Sequence, residues 1–227
     1  MKNILIIGGS KGIGNALLKM LIGSHKIINI SRTLPEITHE NLTNYSLDVT
    51  EDELPTLDTI DGIVYCPGSI NLKPFSRLKL GDFEQDFKIN VLSAVKVIQF
   101  YLKNLIASES ASVVLFSTVA SKMGMPYHAS IAASKSAVEG LTMSLAAEYA
   151  TKIRFNAVAP TVTNTTLAEK LLRNDKMIES IKDRHPYKNF LEPEEVAHLA
   201  EYLLSEKSTA ISGQVFPIDS GIVTVKL

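Results

Sequence analysis

Four consecutive apolar residues, Ile4-Leu5-Ile6-Ile7, run into Gly8-Gly9-Ser10-Lys11-Gly12-Ile13-Gly14, and Asn15-Ala16-Leu17-Leu18-Lys19-Met20-Leu21 follows with the composition of a helix. A buried strand that turns through glycines into a helix is compatible with few folds. Glycines let the chain turn sharply and let a ligand approach the backbone closely. The new helix then offers unpaired N–H groups and the positive end of its dipole to an anion. This is the arrangement that grips a dinucleotide pyrophosphate on a βα unit, and it selects Gly8, Ser10, Lys11, Gly12, Ile13 and Gly14 as loop residues.

The alternation continues along the chain. Apolar runs at residues 26–30, 44–48, 62–66, 112–117, 153–158 and 214–218 read as strands, and helical patterns occupy 82–106, 130–150 and 193–204. Phe83, Phe87, Val91, Ala94 and Ile98 recur at helical spacing, and Pro193-Glu194-Glu195 suits a helix start. Strands alternating with helices specify an α/β fold, a doubly wound parallel sheet with helices on both faces. The 227 residues suit one such domain, with no repeat or linker interrupting it. Residues 161–188 are polar and weakly periodic, so a lid over the site is expected there.

Composition removes several function classes. Lys and Arg number 23 against 24 Asp and Glu, a net charge of −1 that gives nucleic acid no basic footprint. The apolar run before Gly8 is too short for a signal peptide or a membrane span, so a cytoplasmic protein without membrane contact is expected. The single cysteine, Cys66, forms no internal disulfide and reads as a small hydrophobe at a strand end. His25, His39, His185 and His198 are scattered without ligand spacing, and no metal site is expected.

With these elements placed, the sequence resembles the short-chain dehydrogenase/reductases, and more narrowly their keto-acyl-carrier-protein-reductase-like branch, over nearly its whole length. The resemblance is carried by Gly8, Gly12, Ile13 and Gly14, by Asp48-Val49, by Gly68 after the fourth strand and by Lys88-Ile89-Asn90-Val91. Asn156-Ala157-Val158-Ala159-Pro160, Ile211-Ser212-Gly213-Gln214 and Asp219-Ser220-Gly221 extend it toward the C-terminus. It implies a Rossmann fold in which Asp48 and Val49 contact adenine, and Pro160, Val162 and Thr165 border the nicotinamide. It also implies that Asn90 holds a water relay to Lys135, that Lys135 holds the ribose hydroxyls, and that the chain forms a homotetramer through its two long helices and C-terminal strand.

The departures from the family pattern fall near the reacting atoms. Ile7 replaces a threonine, Tyr65-Cys66-Pro67-Gly68 replaces Asn-Asn-Ala-Gly, and Thr161 replaces a glycine. The Tyr-x-x-x-Lys pair reads Ile131-Ala132-Ala133-Ser134-Lys135. Residues four apart share a helix face, which lets a tyrosine and a lysine act together, the ammonium lowering the phenol pKa. Ile131 has no proton to give. Thr118 stands thirteen positions earlier, where the family has its catalytic serine. Ser117 is a rival, but adjacent strand residues face opposite sides, and spacing favours Thr118. The missing acid has several replacements close in sequence: Tyr127, His128, Ser130, or a solvent proton passed along Asn90 and Lys135. His128 shares a stripe with Ile131 and Lys135 if the helix reaches it, while Ser130 points about 100° away from Ile131. Tyr127, which keeps the phenol, is taken here as the acid.

An acidic residue closing the second strand would select NAD, and a basic one NADP. Here Ser31 and Arg32 follow Asn29-Ile30, with Lys11 as a second cation, so NADP(H) is the expected cofactor. These readings point to NADPH-dependent reduction of a small carbonyl substrate, a ketone or a β-ketoacyl thioester, by an atypical catalytic set. Ile131 equally motivates a catalytically silent NADP-binding subunit or sensor, and the fold also admits a lyase or isomerase that needs no hydride. The apolar residues 222–227 are expected to pack on a neighbouring subunit or on the core.

Overall fold

Two apolar cores lie on opposite faces of one sheet. In β1 (Asn3–Ile7), Ile4 and Ile6 enter one core while Leu5 and Ile7 enter the other, because successive side chains alternate. β5 (Ala111–Phe116) likewise divides Val114 and Phe116 from Val113 and Leu115. Burial on both faces is why these strands read as unbroken apolar runs. The structure is a computed structural model that describes residues 1–226.

One face is covered by α1 (Gly12–Leu21) and α7 (Pro193–Leu204). The other is covered by α3 (Ser93–Phe100), α4 (Leu102–Ala107) and α5 (Ala129–Glu148), with α2 (Leu80–Phe87) leading into α3. The sheet also contains β2 (Lys26–Ser31), β3 (Leu42–Ser46), β4 (Gly62–Tyr65), β6 (Ile153–Pro160) and β7 (Val215–Ile218). All pairings are parallel, in the order β3-β2-β1-β4-β5-β6-β7. The winding reverses between β1 and β4, and such a switch point opens a crevice at the carboxyl ends of the strands. The domain is the doubly wound α/β fold that the alternation specifies.

Some boundaries differ from those the pattern suggests. The expected helix over 82–106 is divided into α2, a wide π turn at Lys88–Leu92, α3 and α4. In the wide turn, the Ser93 amide and hydroxyl both reach the Lys88 carbonyl. Tyr101 leaves the helical region because its ring is buried and its hydroxyl donates to the Pro55 carbonyl at 2.7 Å. Within residues 161–188, α6 (Asp175–Arg184) is capped by Asn174, whose side chain accepts the Met177 amide at 3.0 Å. The polarity of that segment reflects an exposed helix, and its start signal is present in the sequence. At the C-terminus the Val225 amide turns back to the Gly221 carbonyl, with Val223 and Val225 partly exposed; Leu227 lies outside the described residues.

Candidate active site

A cavity of about 710 Å³ follows the strand ends at the switch point. Gly8, Ser10, Lys11, Gly12, Ile13 and Gly14 form one wall. Gly14 sits so close to the preceding turn that a Cβ there would lie 2.3 Å from the Gly8 carbonyl oxygen, and Gly12 has φ +55°. These two positions require glycine, and they expose backbone to whatever enters. The loop is tied to the sheet by Asn29, a residue the sequence reading passes over. Its wholly buried side chain accepts the Gly9 amide at 2.9 Å and the Ser31 hydroxyl at 2.7 Å, and donates to Asn44 at 2.8 Å. The available signal was a polar residue inside an apolar strand.

Ser31, Arg32, Asp48 and Val49 line the far end of the cavity. Arg32 and Lys11 are exposed and join no ion pair among the described residues. Burial pushes the Asp48 carboxyl up, but two bonds from Thr50, at 2.9 and 2.7 Å, and the charges of Arg32 and Lys88 outweigh it and hold the group below its usual range. Gly68, Pro160, Val162 and Thr165 also line the cavity, Thr165 packing against Gly12.

At the reacting end, Thr118 is half-buried and faces the cavity, its oxygen accepting the Ala120 amide at 3.4 Å. The hydroxyl proton is left to donate outward. Ser117 also borders the cavity, but its hydroxyl donates to Glu139 at 2.6 Å. Lys135 is only 8% exposed; its ammonium donates to the Phe116 carbonyl at 2.8 Å. Burial lowers its pKa to about 8, with the Asp86 carboxylate opposing that shift. The packing around Cys66 pushes its thiol up to about 12, so it stays protonated beside Lys135. Asn90 is 1% exposed and lies behind the cavity wall; its Oδ1 has no partner and borders Gly68, as does Lys135 Nζ.

The acid expected from sequence requires a correction. Tyr127 is 59% exposed with φ +69° and lies outside the cavity lining, so its phenol does not face the reacting end. His128, Ile131 and Lys135 do line it. The His128 carbonyl accepts the Ala132 amide at 2.8 Å, so the helix of α5 reaches the histidine and the shared stripe exists. His128 Nδ1 lies 2.6 Å from the Pro126 carbonyl. A carbonyl only accepts, so Nδ1 carries the proton and Nε2 is the free position.

A backbone cradle that a Cβ would fill, two unpaired cations and a buried unpartnered amide oxygen together suit a phosphorylated dinucleotide. The comparisons agree with that geometry. The model of the family described as "Enoyl-(Acyl carrier protein) reductase" matches residues 39–223. The 3-oxoacyl-[acyl-carrier-protein] reductase FabG of Rickettsia bellii is 30% identical over 235 residues, covering 97% of this chain and 96% of its own length. The chain belongs to the short-chain dehydrogenase/reductase family. Within that family it is a 3-oxoacyl-carrier-protein-reductase-like member. The L-xylulose reductase of Bos taurus is 28% identical over 235 residues, 98% of this chain and 96% of that one. Among solved structures, ElxO with NADP bound superposes with a TM-score of 0.88 at 28% identity, covering 99% of this short-chain dehydrogenase/reductase and all of ElxO. A 4-hydroxyisoleucine dehydrogenase complexed with NADH gives 0.90 at 25% identity over the full length of both chains.

Proposed function

We propose that this protein is an NADPH-dependent reductase of an uncharged carbonyl compound, a ketone or β-ketoacyl thioester, that works with isoleucine at the position where its family carries the catalytic tyrosine. The observation that carries the reading is the buried Lys135 ammonium facing the same cavity as Thr118. The nicotinamide, when bound, supplies the hydride. Gly8 to Gly14 receive the pyrophosphate on backbone N–H groups, and Asp48 and Val49 flank the adenine. Arg32, with Lys11, Ser10 and Ser31 nearby, receives the 2′-phosphate, for which a fork of guanidinium donors is well shaped. Lys135 holds the ribose hydroxyls, with Asn90 behind it. Pro160, Val162 and Thr165 orient the carboxamide.

The substrate end is bordered by Ile70, Leu72, Met125, Ile131, Leu167 and Leu171, walls that favour an apolar chain. Thr118 donates to the carbonyl oxygen as negative charge builds there. With the cofactor bound, Nε2 of His128 would be the position from which a proton reaches that oxygen. Thermodynamically this binds one proton and one hydride into each alcohol formed. Leu80, Phe87, Leu92, Phe100 and Met143 leave an exposed apolar face on the helices that a homotetramer would bury.

Ile131, only 5% exposed, also favours the silent NADP-binding subunit. Fluorescence titration with NADPH and NADH, followed by NADPH oxidation against activated ketones and β-ketoacyl thioesters, separates the readings. Tighter NADPH binding with turnover supports the reductase. Tight binding without consumption across the panel supports the silent subunit, and a preference for NADH rejects the assignment of Arg32.

A further inference from the structure

Asp86 is a carboxylate with 2% exposure in a helix whose register would suit an apolar residue, and no step of the proposed reaction uses it. Ser69, in the loop after β4, donates to its Oδ1 at 2.6 Å; Ser130, immediately before Ile131 on α5, donates to its Oδ2 at 2.5 Å. Such lengths belong to hydroxyls bonded to an ionised carboxylate. The carboxylate thereby joins the three elements that carry Asn90, Gly68 and Lys135. One turn beyond it, Asn90 Nδ2 donates to the Asp86 carbonyl at 2.7 Å and to Ser69 Oγ at 2.9 Å.

An ionised carboxylate only accepts, so it fixes the direction of every bond in the cluster. The Ser69 proton is committed to Asp86, which leaves Ser69 with a lone pair and makes the amide NH2 of Asn90 its partner. The amide oxygen must then point the other way. Asn90 Oδ1 is the buried atom without a partner, and a Cβ on Gly68 would lie 3.4 Å from it and 3.5 Å from Lys135 Nζ. The two atoms therefore border one small space.

Resting on the reductase reading, we propose that Asp86 is a positioning residue that, through Ser69, holds the Asn90 amide oxygen toward Lys135. This gives a chain with isoleucine at 131 a rigid polar support beside the reacting end, anchored by Ser130 on the same helix. The charged and titratable groups around Lys135 are Asp86 on α2, Cys66 after β4, and His128 and Glu139 on α5; Asp82 is paired with Lys73 at 2.7 Å and is near Ser130 through its carbonyl. Among these, Asp86 opposes the burial that lowers Lys135.

The test is an NMR titration of the lysine ε-groups and the asparagine side-chain amides, together with kcat and KM, in the native chain and in Asp86→Asn, Ser69→Ala and Ser130→Ala. Asp86→Asn removes the field and the one-way acceptor at nearly constant volume. The expected result is a Lys135 titration moved to lower pH, a displaced Asn90 amide signal, and kcat lower by roughly 10- to 100-fold with KM for NADPH little changed. Ser69→Ala displaces the Asn90 signal and lowers kcat while Lys135 titrates as in the native chain. Ser130→Ala has the smallest effect of the three. An unmoved Asn90 amide signal in folded Asp86→Asn overturns the proposal. If that variant does not fold, an unmoved Asn90 signal in Ser69→Ala overturns it instead. Native protein that shows these shifts but no turnover on any carbonyl would refute the reductase reading and leave the role of Asp86 standing.

Discussion

The two ends of the cleft are built on different terms. At the proposed adenine end, a short βα unit presents the backbone of Gly8 to Gly14, a buried Asn29 that secures the loop, and Arg32 and Lys11, which among the described residues have no acidic partner. At the reacting end of the proposed site, Ile131 and Thr118 stand at the positions the resemblance gives to tyrosine and serine. The space around them is surrounded by buried ionisable groups, Lys135, Asp86 and Glu139, each held by hydroxyls or carbonyls. The first end binds through backbone geometry, which tolerates little change of sequence. The second depends on side-chain chemistry, which can be rebuilt from other residues as long as charge is compensated. On the function proposed above, that difference lets one chain keep a cofactor cleft while departing from its family where bonds would be made.

Each end can be tested by substitution. The largest effect is expected from Lys135→Met, which should lower turnover by about 10³-fold, within the range for loss of a positioned catalytic group, and steady-state NADPH oxidation reads it. The same change should stabilise the cofactor-free protein. The folded pKa of Lys135, about 8, lies below the ordinary 10.5, so the unfolded chain binds this proton more tightly. Stability is therefore lowest below about pH 8 and rises as pH climbs from about 8 toward 10.5. Thermal midpoints measured across that window should rise for the native chain and stay flatter for Lys135→Met.

Next in size, Gly14→Ala places a methyl 2.3 Å from the Gly8 carbonyl and forces the loop backbone to move. Loss of measurable NADPH binding is expected, with destabilisation of about 1–3 kcal/mol by denaturant titration; binding retained at native strength would refute the close-approach account. His128→Ala should lower kcat by about 10²-fold, while Tyr127→Phe leaves it within a factor of about two, as befits an exposed side chain. The reverse order would restore Tyr127 as the acid. A smaller effect than that of His128→Ala is expected from Arg32→Ala, which should weaken NADPH binding by about tenfold, one charge-assisted contact at an exposed site, with NADH binding unchanged.

The legibility of the sequence follows the same division. The alternating strands and helices could be read because double-faced burial leaves direct marks on composition: β1 and α7 lie where the pattern puts them. Spacing favours Thr118 over Ser117, while the bond from Ser117 to Glu139 joins residues 22 positions apart and leaves no local mark in the sequence. The wide turn at Lys88–Leu92 left no periodic mark, since it adds a single residue to a helix already patterned for burial. Tyr127 was misread because chemical identity outweighed backbone: its positive φ and exposure follow from the turn that ends in His128. Asp86 was passed over because a lone carboxylate in a helix looks like a solvated face, and its two serine partners lie 17 and 44 positions away in sequence.

The most direct test is transfer of deuterium from NADPH labelled at the nicotinamide C4 into product, using the native chain and a panel of ketones and β-ketoacyl thioesters. Deuterium on the new carbinol carbon, lost in Lys135→Met, is the predicted result. Tightly bound NADPH that transfers no label to any carbonyl, or substrate that changes while the label stays on the cofactor, would contradict it.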